Sequence, residues 1–216
     1  MITPFQRRVA LAFFSLPESD GFAVAGGAAL IAREIVARPT RDIDIFAAST
    51  NESAVPAAAG AFEKHALQQR WCVTHIHRSA TFARMVVEGE GESLIVDIAI
   101  DSPPEEPPTW TELGPTLQAH DLAARKALAL FGRAEARDFT DVHALACRYG
   151  KEQLLSWAAA ADAGFDRPVF ADMLDTLRRF ADQDLPIPAT EISNLRSFFA
   201  SWAAELRDTD QVQSGA

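Results

Sequence analysis

An α+β fold in two lobes, a mixed β-sheet with flanking helices followed by a helical bundle, is the architecture this chain predicts. Three observations carry it: apolar segments that alternate between helix and strand spacing up to Ile100, a proline-rich break over Asp101–Pro108, and helical spacing from Asp121 onward. Phe22–Ala25 is a short apolar run closed by Gly26-Gly27, a strand turning into a helix over Ala28–Val36. Asp42–Ala47 reads as the next strand and Ala54–Gln69 as a helix, and strands come near Trp71–His77, Thr81–Glu88 and Ser93–Ile100. Glu88-Gly89-Glu90-Gly91-Glu92 supplies the hairpin turn between the last two. Beyond the prolines, Asp121–Phe131, Ala136–Tyr149, Lys151–Ala161, Pro168–Phe180 and Thr190–Leu206 carry helical apolar spacing. The expected organisation is a sheet lobe over 1–102, a linker over 103–119, a helical lobe over 120–207 and an unstructured tail over 208–216.

Composition narrows the class. A chain of 216 residues, 48% hydrophobic and 23% charged, buries a substantial core. Cys72 and Cys147 lie far apart and read as reduced, buried thiols rather than a disulfide framework or a zinc site. Neither a leader segment nor an apolar run of about 18 residues is present, so a cytoplasmic protein, off the membrane and monomeric, is expected. A net charge of -10 excludes coating of nucleic acid through bulk electrostatics, because that takes many cations on phosphates. It leaves room for a local basic site, and Arg33, Arg38, Arg41, Arg125, Arg133 and Arg137 recur near the acidic motifs of the chain.

The first of these motifs are acids placed in strands. In Thr40-Arg41-Asp42-Ile43-Asp44-Ile45-Phe46, residues two apart share a face, so Asp42 and Asp44 aim together while Ile43 and Ile45 face the core. Asp97 stands equally alone in the apolar run Leu94–Ile100. Paired carboxylates suit Mg2+, which takes one or two of them and completes its shell with water and substrate phosphates. Three such acids point to phosphoryl or nucleotidyl transfer, although an Asp-x-Asp pair by itself also marks a solvated strand edge. Gly26-Gly27 is either a tight turn or a place where backbone N–H groups meet phosphate oxygens.

A second cluster lies in the helices. Lys126 interrupts an apolar stripe, and Asp138 and Asp141 are three apart on one helix face. Lys126 either pairs with Asp141 at a helix seam or neutralises nucleotide phosphates while Asp141 positions it. His75, His77, His120 and His143 have no metal-ligand spacing, and Trp71, Trp110, Trp157 and Trp202 read as packing residues.

Taken in order, Gly26-Gly27, Thr40-Arg41-Asp42-Ile43-Asp44, the lone Asp97, Asp121–Leu130 and Arg137-Asp138-Phe139-Thr140-Asp141-Val142 resemble the AbiEii/MenT family. These are DNA-polymerase-β-type nucleotidyltransferases that serve as toxins of bacterial toxin–antitoxin systems. The likeness spans roughly Phe22 to Leu145 and implies a nucleotidyltransferase-type sheet lobe ahead of the helical lobe. It implies that Asp42 and Asp44, with Asp97 as third acid, hold metal, and that Asp97 activates the acceptor hydroxyl. It further implies an NTP-contacting set of Gly26, Gly27, Thr40, Arg41, Lys126, Arg137 and Asp138, with Asp141 completing the last motif. Arg137 stands where the motif usually has lysine.

The expected chemistry is Mg2+-dependent transfer of a nucleoside monophosphate from an NTP to an acceptor hydroxyl, first of all the 3′ end of tRNA, blocking translation. The alternatives are a protein or small-molecule acceptor such as an aminoglycoside, or a catalytically silent nucleotide-binding regulator. A cognate antitoxin is the expected partner, and one that is a kinase has a target in Thr40, where added negative charge would disrupt triphosphate binding.

Overall fold

The computed structural model describes the backbone of residues 1–48, 51 and 53–214, and side chains of these as far as Asp208. Two compact units result, residues 1–122 and the residues from Ala123 onward.

The first unit is a seven-stranded mixed sheet with helices. In chain order it contains α1 (Pro4–Phe14), β1 (Phe22–Ala25), α2 (Gly26–Ala32), β2 (Asp42–Ala47), α3 (Ala54–Gln68), β3 (Cys72–Arg78), β4 (Phe82–Gly89), β5 (Glu92–Ile100), β6 (Thr109–Thr111) and β7 (Gly114–Thr116). The strands lie in the order β3-β4-β5-β2-β1-β7-β6. β2 runs parallel to β5, β1 runs parallel to β7, and the remaining neighbours are antiparallel. The β4–β5 hairpin turns over Glu90-Gly91, both at positive φ, as a two-residue type I′ connection requires.

Strand alternation divides the sheet into two chemically different faces. Phe22, Val24, Ile43, Ile45, Ala83, Met85, Val87, Leu94, Val96 and Ile98 form one, all buried. Helix α3 packs on the sheet and α1 on α3, with Phe13 within 6 Å of the rings of Phe22 and Phe62. The opposite face carries Asp42, Asp44, Asp97 and Arg84 among the apolar Phe46, Phe82, Val86, Ile95 and Ala99.

Several features depart from the sequence expectations. Helix α1 is not among the expected elements, although Thr3 caps it in a capping box with Gln6 and Pro4 opens it. The segment expected as a linker holds the β6–β7 hairpin, and β7 pairs with β1, so this stretch is part of the sheet. Both cysteines are exposed rather than buried, Cys72 because it opens the edge strand β3 and Cys147 because it lies on the outer side of a helix.

The second unit is helical, from the later part of α4 (Ala119–Gly132) through α5 (Ala136–Tyr149), α6 (Lys151–Ala161), α7 (Arg167–Asp175) and α8 (Ala189–Ser214). Short 3-10 turns at Thr176–Arg179 and Asp182–Asp184 join α7 to α8, so the single helix expected over Pro168–Phe180 ends early at Asp175. Phe139, Phe170, Phe199 and Trp202 are fully buried at its centre, with Phe139 edge-on to Phe199 at 5.2 Å. Helix α8 continues to Ser214, through most of the expected tail; Gly215 and Ala216 lie outside the described residues.

Candidate active site

Sheet register assembles the first cluster. Asp44 on β2 is the in-register partner of Asp97 on β5, and Asp97 is in turn the partner of Arg84 on β4. Side chains at paired positions emerge on the same face, so Arg84, Asp97 and Asp44 form a row across three strands, with Asp42 one pleat along from Asp44. Asp42 and Asp44 are half-buried, while Asp97 is buried.

Beyond β2 the row reaches Ala25, the partner of Asp44 on β1, and then Gly26. Gly26 has φ +61°, and a Cβ built on it would lie 1.7 Å from Asp44 Oδ2. Only glycine lets the chain turn here while its backbone touches that carboxylate. A Cβ on Gly27 would meet the Arg38 guanidinium at 2.7 Å and Thr40 Oγ1 at 3.4 Å, so the second glycine makes room for a cation and a hydroxyl beside the start of α2.

Thr40 is buried. Its hydroxyl donates to Asp42 Oδ1 at 2.6 Å, and its carbonyl accepts from the Gln6 amide at 2.7 Å. This fixes Asp42 from the side and ties the loop before β2 to α1. Arg41 is exposed immediately before β2, where its carbonyl accepts from Ile95 N–H.

Asp97 is engaged by a residue that the sequence motifs do not include. Arg84 Nε donates to Asp97 Oδ1 at 2.8 Å and Nη2 to Oδ2 at 2.6 Å, a bidentate fork. Those hydrogen bonds push the Arg84 guanidinium above its ordinary pKa; burial opposes this, and the charges of Asp97, Asp44 and Asp42 add to it. A signal for it exists in the sequence: Arg84 is an isolated charge in the apolar strand Phe82–Val87, as Asp97 is in its own strand.

The second cluster lies within the helical unit. Lys126 on α4 is buried, its ammonium 2.9 Å from Asp141 and 3.5 Å from Asp138 on α5. Both carboxylates are fully buried. Asp138 also accepts both arms of the Arg133 guanidinium, at 2.9 and 3.2 Å, and the backbone N–H of Glu135. Burial alone would raise the Asp138 carboxyl, but the Arg133 hydrogen bonds and the Lys126 charge outweigh it and hold the group below the ordinary carboxylate range. Asp138 was expected to contact the nucleotide. Its carboxylate is fully buried and ringed by these donors. Arg137 is partly exposed, and its Nε donates to Glu135 at 3.1 Å.

The structure thus brings Asp42, Asp44, Asp97, Gly26, Gly27 and Thr40 together in the sheet unit, and Lys126, Asp138 and Asp141 together in the helical unit. Among the described residues no group of three or more His, Cys, Asp or Glu is disposed to hold a metal ion. Asp42 and Asp44, two oxygen donors on one pleated face with a glycine backbone against them, fit a divalent ion that takes two protein carboxylates and its other ligands from phosphate and water. Asp97 has both oxygens bound by Arg84 and is not presented in the same way.

Residues 11–212 match the family model described as "Nucleotidyl transferase AbiEii toxin, Type IV TA system". The chain belongs to that family. It is accordingly an AbiEii-family nucleotidyltransferase of a toxin–antitoxin system, with an NTP as substrate and an antitoxin as partner. Its fold is similar to that of JHP933 from Helicobacter pylori, with a TM-score of 0.60 at 16% identity over 98% of this chain and 94% of the other. It is also similar to an H. pylori structure described as a nucleotidyltransferase, with a TM-score of 0.59 at 16% identity over 95% of each chain. Curated proteins gave no match to this AbiEii-family chain. No helix among its described residues is long and apolar enough to cross a membrane.

Proposed function

We propose that this AbiEii-family enzyme transfers a nucleoside monophosphate from an NTP to a hydroxyl at the 3′ end of tRNA, with Mg2+ held by Asp42 and Asp44, and that the modified tRNA no longer supports translation. The observation that carries this is the row Asp44–Asp97–Arg84 with Asp42 beside it, a charged row on the sheet face opposite the core. In the transfer, the acceptor oxygen forms a bond to the α-phosphorus, the bond from that phosphorus to the bridging oxygen breaks, pyrophosphate leaves with the electron pair and the hydroxyl proton passes to water. When bound, the metal lowers the pKa of the acceptor hydroxyl and neutralises charge on the leaving pyrophosphate.

The chain's own residues position the reactants. Thr40 holds one oxygen of Asp42 in place. Gly26 and Gly27 let backbone approach Asp44 and leave space for the Arg38 guanidinium, a cation suited to the triphosphate. Arg84 fixes Asp97 beside Asp44. In the helical unit, Lys126 supplies a phosphate contact and Asp141 orients its ammonium. A tRNA acceptor favours a cytoplasmic location, and the reading takes the enzyme as a monomer.

The test is incubation of the protein with Mg2+, each α-labelled NTP in turn and total bacterial tRNA, with Asp42→Asn and Asp44→Asn alongside. Label in tRNA from wild type, lost in both folded variants, is expected. Undiminished transfer by a folded Asp42→Asn protein would overturn the site, and label appearing only in protein or in an aminoglycoside would move the acceptor.

A further inference from the structure

Strand β3 is an edge strand, and its pairing with β4 slips between His75 and His77: His75 faces Met85, whereas His77, not Ile76, faces Arg84. A regular ladder would set Ile76 opposite Arg84. The extra residue instead leaves Ile76 59% exposed and brings His77 into the row that continues through Arg84 and Asp97 to Asp44. Bulges of this kind re-aim single side chains next to functional sites.

What the bulge delivers is a tilted aromatic pair. The His77 ring lies 5.6 Å from Phe82 at an interplanar angle of 38°, and the Arg84 guanidinium sits over the same Phe82 ring, also at 5.6 Å. The His77 and Phe82 rings and the Arg84 guanidinium thus adjoin one another on the acid-bearing side of the sheet, whereas Arg78, in register with Ala83 and bonded to Glu63 of α3, belongs to the other side. Three strand spacings separate Asp44 from His77, about 14 Å.

Stacking rings interleaved with guanidinium forks are how proteins hold single-stranded nucleic acid without reading its sequence: bases lie on the rings and phosphates meet the cations. We propose that His77, Phe82 and Arg84 form the acceptor-strand subsite, holding the last nucleotides of an RNA 3′ end so that its terminal hydroxyl reaches the Asp42–Asp44 pair. This rests on the catalytic reading of that pair. It also places a local RNA contact on a chain whose net charge of -10 forbids binding by bulk attraction. Nε and Nη2 of Arg84 are spent on Asp97, so Nη1 is the donor turned to phosphate, and Asp97 on this account is a positioning residue that orients the guanidinium.

The experiment is fluorescence anisotropy with a short fluorescein-labelled single-stranded RNA ending in CCA, using wild type, His77→Ala, Arg84→Lys and Asp42→Asn. His77 is exposed, so its removal spares the core, and Arg84→Lys keeps the charge on Asp97 while losing the planar fork. Each of these two variants is expected to weaken RNA binding by about fivefold or more, the loss of one base stack. Binding of a fluorescent NTP analogue stays unchanged in His77→Ala. Asp42→Asn is expected to keep RNA affinity and lose transfer. Wild-type RNA affinity in both His77→Ala and Arg84→Lys, or no RNA binding by wild type, overturns the subsite and makes the bulge a device that blunts an edge strand. If RNA binding depends on His77 and Arg84 while wild type transfers no nucleotide, the subsite stands and the catalytic reading falls.

Discussion

Replacing Lys126 by alanine removes a cation from between two fully buried carboxylates. Its ammonium is 2.9 Å from Asp141 and 3.5 Å from Asp138, and its side chain is 9% exposed. Asp138 keeps the Arg133 fork, so the loss falls chiefly on Asp141. Removing one partner of a buried ion pair costs about 3–5 kcal/mol, because the other charge stays desolvated. At a urea slope of about 2 kcal/mol per molar, Lys126→Ala should lower the unfolding midpoint by about 2 M. The double variant Lys126→Met/Asp141→Asn removes both charges at nearly constant volume and should recover most of that loss. Urea unfolding followed by circular dichroism, with Lys126→Met and Asp141→Asn as the single variants of a double-mutant cycle, measures the coupling. A Lys126→Ala protein within about 1 kcal/mol of wild type, or additive single effects, would refute the buried-pair reasoning. The same pair of variants separates structure from chemistry. If the double variant folds as stably as wild type and still transfers no nucleotide, Lys126 contributes a phosphate contact beyond its role in packing.

Gly26→Ala drives a methyl into Asp44 and forces a side chain onto a backbone at φ +61°; transfer should vanish and the melting temperature fall, and an active, equally stable variant would sink the close-approach account. Thr40→Val keeps the shape but loses the hydrogen bond to Asp42, worth about 1.5–3 kcal/mol to a charged acceptor, so steady-state kinetics should show a slower turnover; unchanged kinetics would free Asp42 from Thr40. The Asp138 carboxyl is held below its ordinary value, so on acidification the unfolded chain, near pKa ~3.9, binds the proton first. Its stabilisation is therefore complete above about pH 5 and disappears as pH falls through about 4 toward the folded value. The stability gap between wild type and Asp138→Asn should accordingly narrow from pH 6 to pH 3, and a constant gap would contradict the pairing.

Much of the scaffold was legible because its elements are strongly patterned. β1, β2, α5 and α6 fall on the residues the apolar spacing marks, and the Glu90-Gly91 turn joins the two strands it was expected to join. The three-residue strands β6 and β7 are too short to show a period, and their identity comes from pairing with β1. Helix α1 did carry a signal, a Thr-Pro start and apolar residues at Phe5, Val9 and Phe13. In the site, the strand acids were legible as lone charges in apolar strands, and the Lys126–Asp141 pair was one of the two readings the helical spacing offered. That Asp97 meets Arg84, and that Lys126 reaches Asp138 as well, is a matter of register and helix packing, which no local pattern encodes.

Register is also what joins stability to the proposed chemistry. Asp44 and Asp97 belong to strands far apart in sequence, and they meet because β2 and β5 pair in parallel with Ile43 beside Val96 and Ile45 beside Ile98. A slip of one residue would turn Asp97 onto the apolar face and bring Val96 or Ile98 out beside Asp44. That slip would bury a carboxylate among Met85, Ile43 and Ile45 and expose residues that are now fully buried, a cost of several kcal/mol from both causes. The core side of the sheet therefore holds the polar side in alignment, and the two-residue turn between β4 and β5 extends that alignment to Arg84. At β3 the alignment is broken once, by the bulge, and the residue it admits to the polar row is an imidazole in place of an isoleucine.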